Sequence, residues 1–146
     1  MLVAVVGVVV LRLTKQPLAA AAAGRSGAVE ELVEILQKLH GTLDRWTAAS
    51  DQLSVYDVHG MIDEEVADEL GRFAELREAI IPEFGLDHYA QVMTEFALAE
   101  RTINRAWSAS ADGYIDEVQA CLRRATLHLS AAQRCLDDAR TSGRKP

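Results

Sequence analysis

Four stretches of this chain place apolar residues alternately three and four positions apart, a spacing that admits little besides long amphipathic helices packed side by side. The first runs Val29, Leu32, Leu36, Leu39, Leu43, Trp46, Ser50 and Leu53. It is an a/d heptad seam, the pattern that keeps one helix face against a partner as in a coiled coil. Glu30, Glu31 and Glu34 fall in its first turns, where the helix dipole favours carboxylates. The spacing predicts a helix over 27–50. Ser50 to Ser54 reads as a break, with Ser54 and Asp57 resembling a capping box. A second helix is expected over 55–80, with Val58, Ile62, Val66, Leu70, Phe73, Leu76 and Ile80 inward. Pro82 disfavours helical geometry at Ile81, and Gly85 and Asp87 supply a turn and an N-cap. The third seam is Tyr89, Val92, Phe96, Ala99, Ile103 and Ala106, widened by Met93 and Trp107. The run 108–113, SASADG, is a turn signal. Ile115, Val118, Leu122, Ala125, Leu129, Ala132, Leu136 and Ala139 form the fourth, with Gly143 placed as a C-cap.

Short links between helices of this length make antiparallel neighbours. The expected fold is all-α: an antiparallel up-down-up-down four-helix bundle over 26–146, preceded by a short apolar N-terminal segment over 1–25. With 146 residues, one domain suffices. Aromatics at 5%, nine glycines and three prolines are few for a β-sandwich or barrel.

Charge divides the chain. Of a formal net charge of −7, the first 25 residues contribute three basic groups, Arg12, Lys15 and Arg25, and no acidic one. The body is therefore more acidic than the whole, which argues against nucleic acid as a partner. The head MLVAVVGVVVLRL, residues 1–13, is apolar but spans only ~20 Å as a helix against the ~30 Å of a bilayer's hydrocarbon core. Three readings stay open for it: a short membrane anchor, an atypical signal peptide ending in the small residues Ala19 to Ala23, or a segment packed on a soluble fold. As an anchor it is followed by its positive charges, which puts the body in the cytoplasm. The localisation expected is thus membrane-associated with a cytoplasmic body; the alternatives are a soluble cytoplasmic protein and export.

Chemistry is sparse. Helical bundles often hold di-iron centres through Glu-x-x-His, but the residues three before each histidine are Gln37, Tyr56, Gly85 and Ala125. A second candidate is metal ligation by His40, Asp44, His59 and Asp63, two i,i+4 pairs. A hairpin turning near residue 52 sets position 40 opposite 64 and 44 opposite 60, so two imidazoles and two carboxylates converge in a set suited to zinc or another divalent ion. The competing account is two exposed helix pairs. Cys121, His128 and Cys135 recur at heptad spacing on the last helix, too far apart to share a metal or a disulfide unaided. They read as small residues filling a close helix contact; as an exposed stripe they would instead support redox-dependent dimerisation. The second helix is the most acidic, with Asp57, Asp63, Glu64, Glu65, Asp68, Glu69, Glu75 and Glu78 against Arg72 and Arg77. It reads as a solvated face or as a surface that steers a basic partner.

Two short likenesses add expectations. Leu39-His40-Gly41-Thr42-Leu43 resembles the active run of histidine phosphotransfer domains, which are four-helix bundles, and implies a phosphoryl-accepting His40. Thr42, Leu43 and Asp44 stand where those domains place a lysine. Ala106-Trp107, Gly113-Tyr114, Asp116-Glu117-Val118 and Ala125 are similar to one tetratricopeptide hairpin, which implies protein interaction. The function expected is a non-enzymatic helical interaction or scaffold module, tethered through residues 1–13, with a protein partner or self-association and no cofactor. The alternatives are a metal- or ligand-binding bundle using the His/Asp cluster and a phosphotransfer-like module.

Overall fold

A computed structural model describes residues 18–143. The expected anchor or signal segment, residues 1–13, lies outside them. The described chain is all-helical: α1 (Leu18–Ala48), α2 (Val58–Glu65), α3 (Ala67–Leu76), α4 (Ile80–Phe84), α5 (Leu86–Asp112) and α6 (Ile115–Ser142), with single 3-10 turns at Ser50–Gln52 and Arg77–Ala79. Among the described residues no helix is long and apolar enough to cross a membrane.

The seams bury over most of their length, though Ile115 and Trp107 stay exposed and Leu53, Leu76 and Tyr89 are only half-buried. Leu32, Leu36, Leu39 and Leu43 of α1 meet Leu122, Leu129 and Leu136 of α6 in a core joined by Val58, Phe73, Ile80, Phe96 and Ile103. Phe73 and Phe96 stack at the centre, ring centroids 3.9 Å apart. α6 contributes small residues between its leucines, and Ala125, Ala132 and Ala139 are fully buried. Its neighbours therefore approach closely, and α6 packs along both α5 and α1. α2 and α4 lie on α5, while α3 lies on α1.

Several boundaries differ from the sequence reading. α1 starts at Leu18, not near 27, because the alanines 19–23 favour helix without needing a partner. The expected second helix is divided at Val66, whose φ of −122° departs from helical geometry, and again at the 3-10 turn 77–79. No side-chain cap forms at Asp57, so the Ser54/Asp57 box is absent; Asp57 N–H instead donates to the Ser54 carbonyl in a turn. Pro82 does not end the helix before it. It sits in the first turn of α4, where its missing N–H has no intrahelical acceptor to lose. Gly85, at φ +90°, is the junction between α4 and α5, and Asp87 lies inside the first turn rather than at the cap. SASAD continues α5: Ala109 and Ser110 are buried, and the turn is made by Gly113 in the left-handed region at φ +82°. Gly143 ends α6 at φ −70°, a conformation open to any residue.

Candidate interaction groove

The acidic run on the second seam becomes one wall of a groove. Between α1 and α3, on the outer face, lies an open trough of about 680 Å³. Its floor is small and partly apolar: Ile35 from α1, Ala67 and Gly71 from α3. A Cβ added at Gly71 would meet nothing within 4 Å, so the space beside it is open. Glu31 and Glu34 of α1 face Asp68, Glu69 and Glu75 of α3 along the rims, with Lys38 and Arg72 as the cations. Five carboxylates against two cations leave a formal surplus of three negative charges.

Ion pairs rib this face at heptad intervals. Arg72 holds Glu31 through Nε and Nη2 at 2.6 and 3.2 Å and Glu75 through Nη1 at 3.0 Å. Lys38 pairs with Glu69, and Arg45 with Glu65 at 3.0 Å. The Glu31 bond first, then Glu75, hold the Arg72 guanidinium's pKa above its ordinary value. The ribs are solvent-exposed, so screening and side-chain entropy keep their contribution to stability small. Glu34 and Asp68 carry no ion pair among the described residues.

The same ribs fix the register of the first two seams. Position 45 meets 65, whereas a turn at residue 52 would set it against 59. The nine residues 49–57 form a 3-10 turn and a second turn rather than a tight hairpin, which displaces the strip that carries His59 and Asp63. His40 is half-buried and Asp44 exposed on α1. Among the described residues no three His, Cys, Asp or Glu side chains gather as a metal site, so the four candidates do not assemble into one ligand set.

His59 and Asp63 are engaged by α5 instead. Ser110, fully buried, accepts the His59 backbone N–H at 2.9 Å and donates its own proton to the Val55 carbonyl. It thereby caps α2 from another helix, a role Asp57 leaves vacant. His59 Nδ1 lies 3.3 Å from the same hydroxyl oxygen, and its ring meets Trp107 edge-on at 5.8 Å. Trp107 Nε1 donates to Asp63 at 2.9 Å. A serine, a histidine and an aspartate thus stand close together without catalytic order. The serine proton goes to a carbonyl, and the aspartate binds an indole. Sequence reasoning missed Ser110 because it lay in a run taken for a turn.

The heptad-spaced residues of α6 also part company. Cys121 is buried, with Sγ 3.4 Å from a Glu117 carboxylate oxygen; burial, then Glu117, push its thiol pKa up. Cys135 is half-buried, and burial followed by the negative charge of Glu95 pushes its thiol up as well. His128 Nδ1 sits 2.8 Å from Glu95 across the α5–α6 contact. Cys121 and Cys135 thus lie in the helix packing rather than on an exposed stripe, since heptad spacing on a helix sandwiched between two others points into the contact. Glu117 is held below the usual carboxylate range by its bond from Arg105, then by the Cys121 thiol.

Compared with protein-family models, with curated proteins and with solved structures, the chain matches none.

Proposed function

We propose that this chain is a non-enzymatic protein-interaction module: an up-down-up-down four-helix bundle in which α2, α3 and α4 together take the part of the second helix. In support, α1 packs on α6, α6 on α5, α5 on α2 and α4, and α3 back on α1, which closes a ring. The single observation that carries the interaction role is the groove between α1 and α3. It is a broad trough with a floor of small residues and charged rims, suited to receiving side chains of a helical or extended segment. Ser110, His59 and Asp63, the side chains closest to a catalytic arrangement, spend their hydrogen bonds holding α2 to α5. An acidic trough repels nucleic acid and anionic lipid and favours protein.

The tether through residues 1–13, with the body on the cytoplasmic side, rests on sequence alone: an apolar run followed by Arg12 and Lys15. Fractionation tests it. The chain with its N-terminus intact should sediment with membranes, and a fully soluble chain ends the idea.

Site-specific photo-crosslinking tests the groove. A photoreactive phenylalanine analogue replacing Glu75 on the groove rim should yield a discrete adduct in cells. The same analogue replacing Leu127, 70% exposed on α6, should not. Identical patterns from the two positions overturn the reading.

A further inference from the structure

We infer that the outer face of α6 rests on an anionic lipid surface, an assignment that rests on the tether proposed above and names the part of the body that meets the lipid. Residues 118–136 hold three arginines and no acidic residue, in a chain of net charge −7. Arg123, Arg124 and Arg134 are exposed and carry no ion pair among the described residues. Arg134 donates only to the Ser130 hydroxyl, at 3.0 Å. Leu127 stands among them, four residues after Arg123, three after Arg124 and seven before Arg134, and is 70% exposed. These spacings gather all four side chains on the side of α6 that turns away from its buried Leu122, Leu129 and Leu136.

Position and charge together single out lipid as the occupant. α6 packs on α1 and α5, while α3 packs on α1 and α2, so the arginine stripe and the acidic wall of the trough lie on opposite sides of the body. Two helix diameters, ~20 Å, separate them, more than twice the ~8 Å over which physiological salt screens a charge. An anionic surface at α6 therefore meets the arginines with little opposition from the acidic wall. Asp116 and Asp138, exposed near the two ends of α6, bound the stripe. Guanidinium groups pair with phosphate and carboxylate oxygens, and a leucine between them enters the headgroup layer. α1 leads back in sequence to Lys15, Arg12 and the apolar residues 1–13, and it packs directly on α6. A head held in the bilayer keeps the stripe near lipid at high effective concentration, an advantage that no soluble acidic partner shares. The trough then faces away from the membrane, open to protein.

The test mixes the full chain with vesicles of phosphatidylcholine alone or with roughly one-third phosphatidylserine. An environment-sensitive fluorophore is coupled briefly to Leu127→Cys, the native cysteines lying in the helix packing, and to Glu75→Cys on the opposite side as the control. On anionic vesicles the probe at 127 should brighten and shift to the blue, and the probe at 75 should not. The change at 127 should be about fivefold smaller on phosphatidylcholine alone and should fade as salt rises. Each basic residue near such a surface strengthens binding roughly fivefold, so Arg123→Gln with Arg124→Gln and Arg134→Gln should cut the anionic signal at least about tenfold. That variant should still sediment with vesicles through its head. Circular dichroism melts confirm that each variant is folded. A signal at 127 equal on both vesicles, equal to that at 75, or indifferent to the arginine variant overturns the assignment. So does brightening at 127 that needs no lipid and grows with protein concentration, which makes the occupant a second copy. Sedimentation with no signal at 127 overturns the stripe and leaves the tether standing. Sedimentation on anionic vesicles alone, lost in the arginine variant, overturns the tether and leaves the stripe, and no sedimentation on either vesicle overturns both.

Discussion

Replacing Gly71 by alanine should stabilise this protein, and replacing Gly113 by alanine should destabilise it. The chemical change is identical, and so is its effect on the freedom of the unfolded chain. Only the folded state differs. Gly71 is the fifth residue of α3, exposed, with no heavy atom within 4 Å of an added Cβ. The substitution meets no obstacle there and gains helix propensity, a net of about 0.5–1 kcal/mol. Gly113 sits at φ +82°, and its added Cβ would lie 2.6 Å from the Tyr56 hydroxyl oxygen. The left-handed backbone alone costs a residue with Cβ about 1–2 kcal/mol, enough to outweigh the entropic gain even if Tyr56 swings away. Urea denaturation followed by far-UV circular dichroism reads both. With an m-value of about 2 kcal/mol/M, the midpoint should rise by roughly 0.3–0.5 M for Gly71→Ala and fall by a comparable or larger amount for Gly113→Ala. If both midpoints move the same way, either the space beside Gly71 is filled or the turn at Gly113 is not left-handed.

Phe73→Ala removes a fully buried ring stacked on Phe96 and should cost about 3–5 kcal/mol in the same urea assay. Ser110→Ala strands the His59 N–H and the Val55 carbonyl in a buried site and should cost about 1–3 kcal/mol, with hydrogen exchange accelerating first at the start of α2. Ala125→Phe forces a ring where α6 meets its neighbours and should cost about 1–3 kcal/mol or displace α6. At pH 8 both cysteines should alkylate more slowly than a free thiol, because raised pKa values keep the thiolate scarce; Cys135 should react before Cys121 in a mass-resolved time course.

The helical seams were legible because burial of one face imposes its own period: Val29 through Trp46 and Val118 through Ala139 are buried as their spacing requires. Periodicity is blind to backbone breaks that preserve the face. The step from Ile62 to Val66 to Leu70 keeps its phase across a non-helical residue, so the division between α2 and α3 leaves no trace in the pattern. Seams also say nothing about ends. Alanine carries helix without amphipathicity, which hid the first turns of α1, and SASAD looks like a turn until Ser110 is seen buried against Val55. The groove was half legible. Its carboxylates were visible as an acidic face, while which of them face one another depends on the register set by the long link 49–57, which a charge count does not reveal.

α1 is unbroken from Leu18 to Ala48, and its Glu30 meets Arg140, two residues before the end of α6. Ser26 still lines a cleft with Phe84 and Gly143, so among the described residues about eight of α1 precede that contact, roughly 12 Å of shaft. A shaft transmits bearing as well as distance. Whatever holds its Leu18 end also aims the groove, and each residue inserted or deleted ahead of Val29 swings that groove by about 100° while moving it only ~1.5 Å. Gly24 is the point along the shaft where such aim is most easily lost.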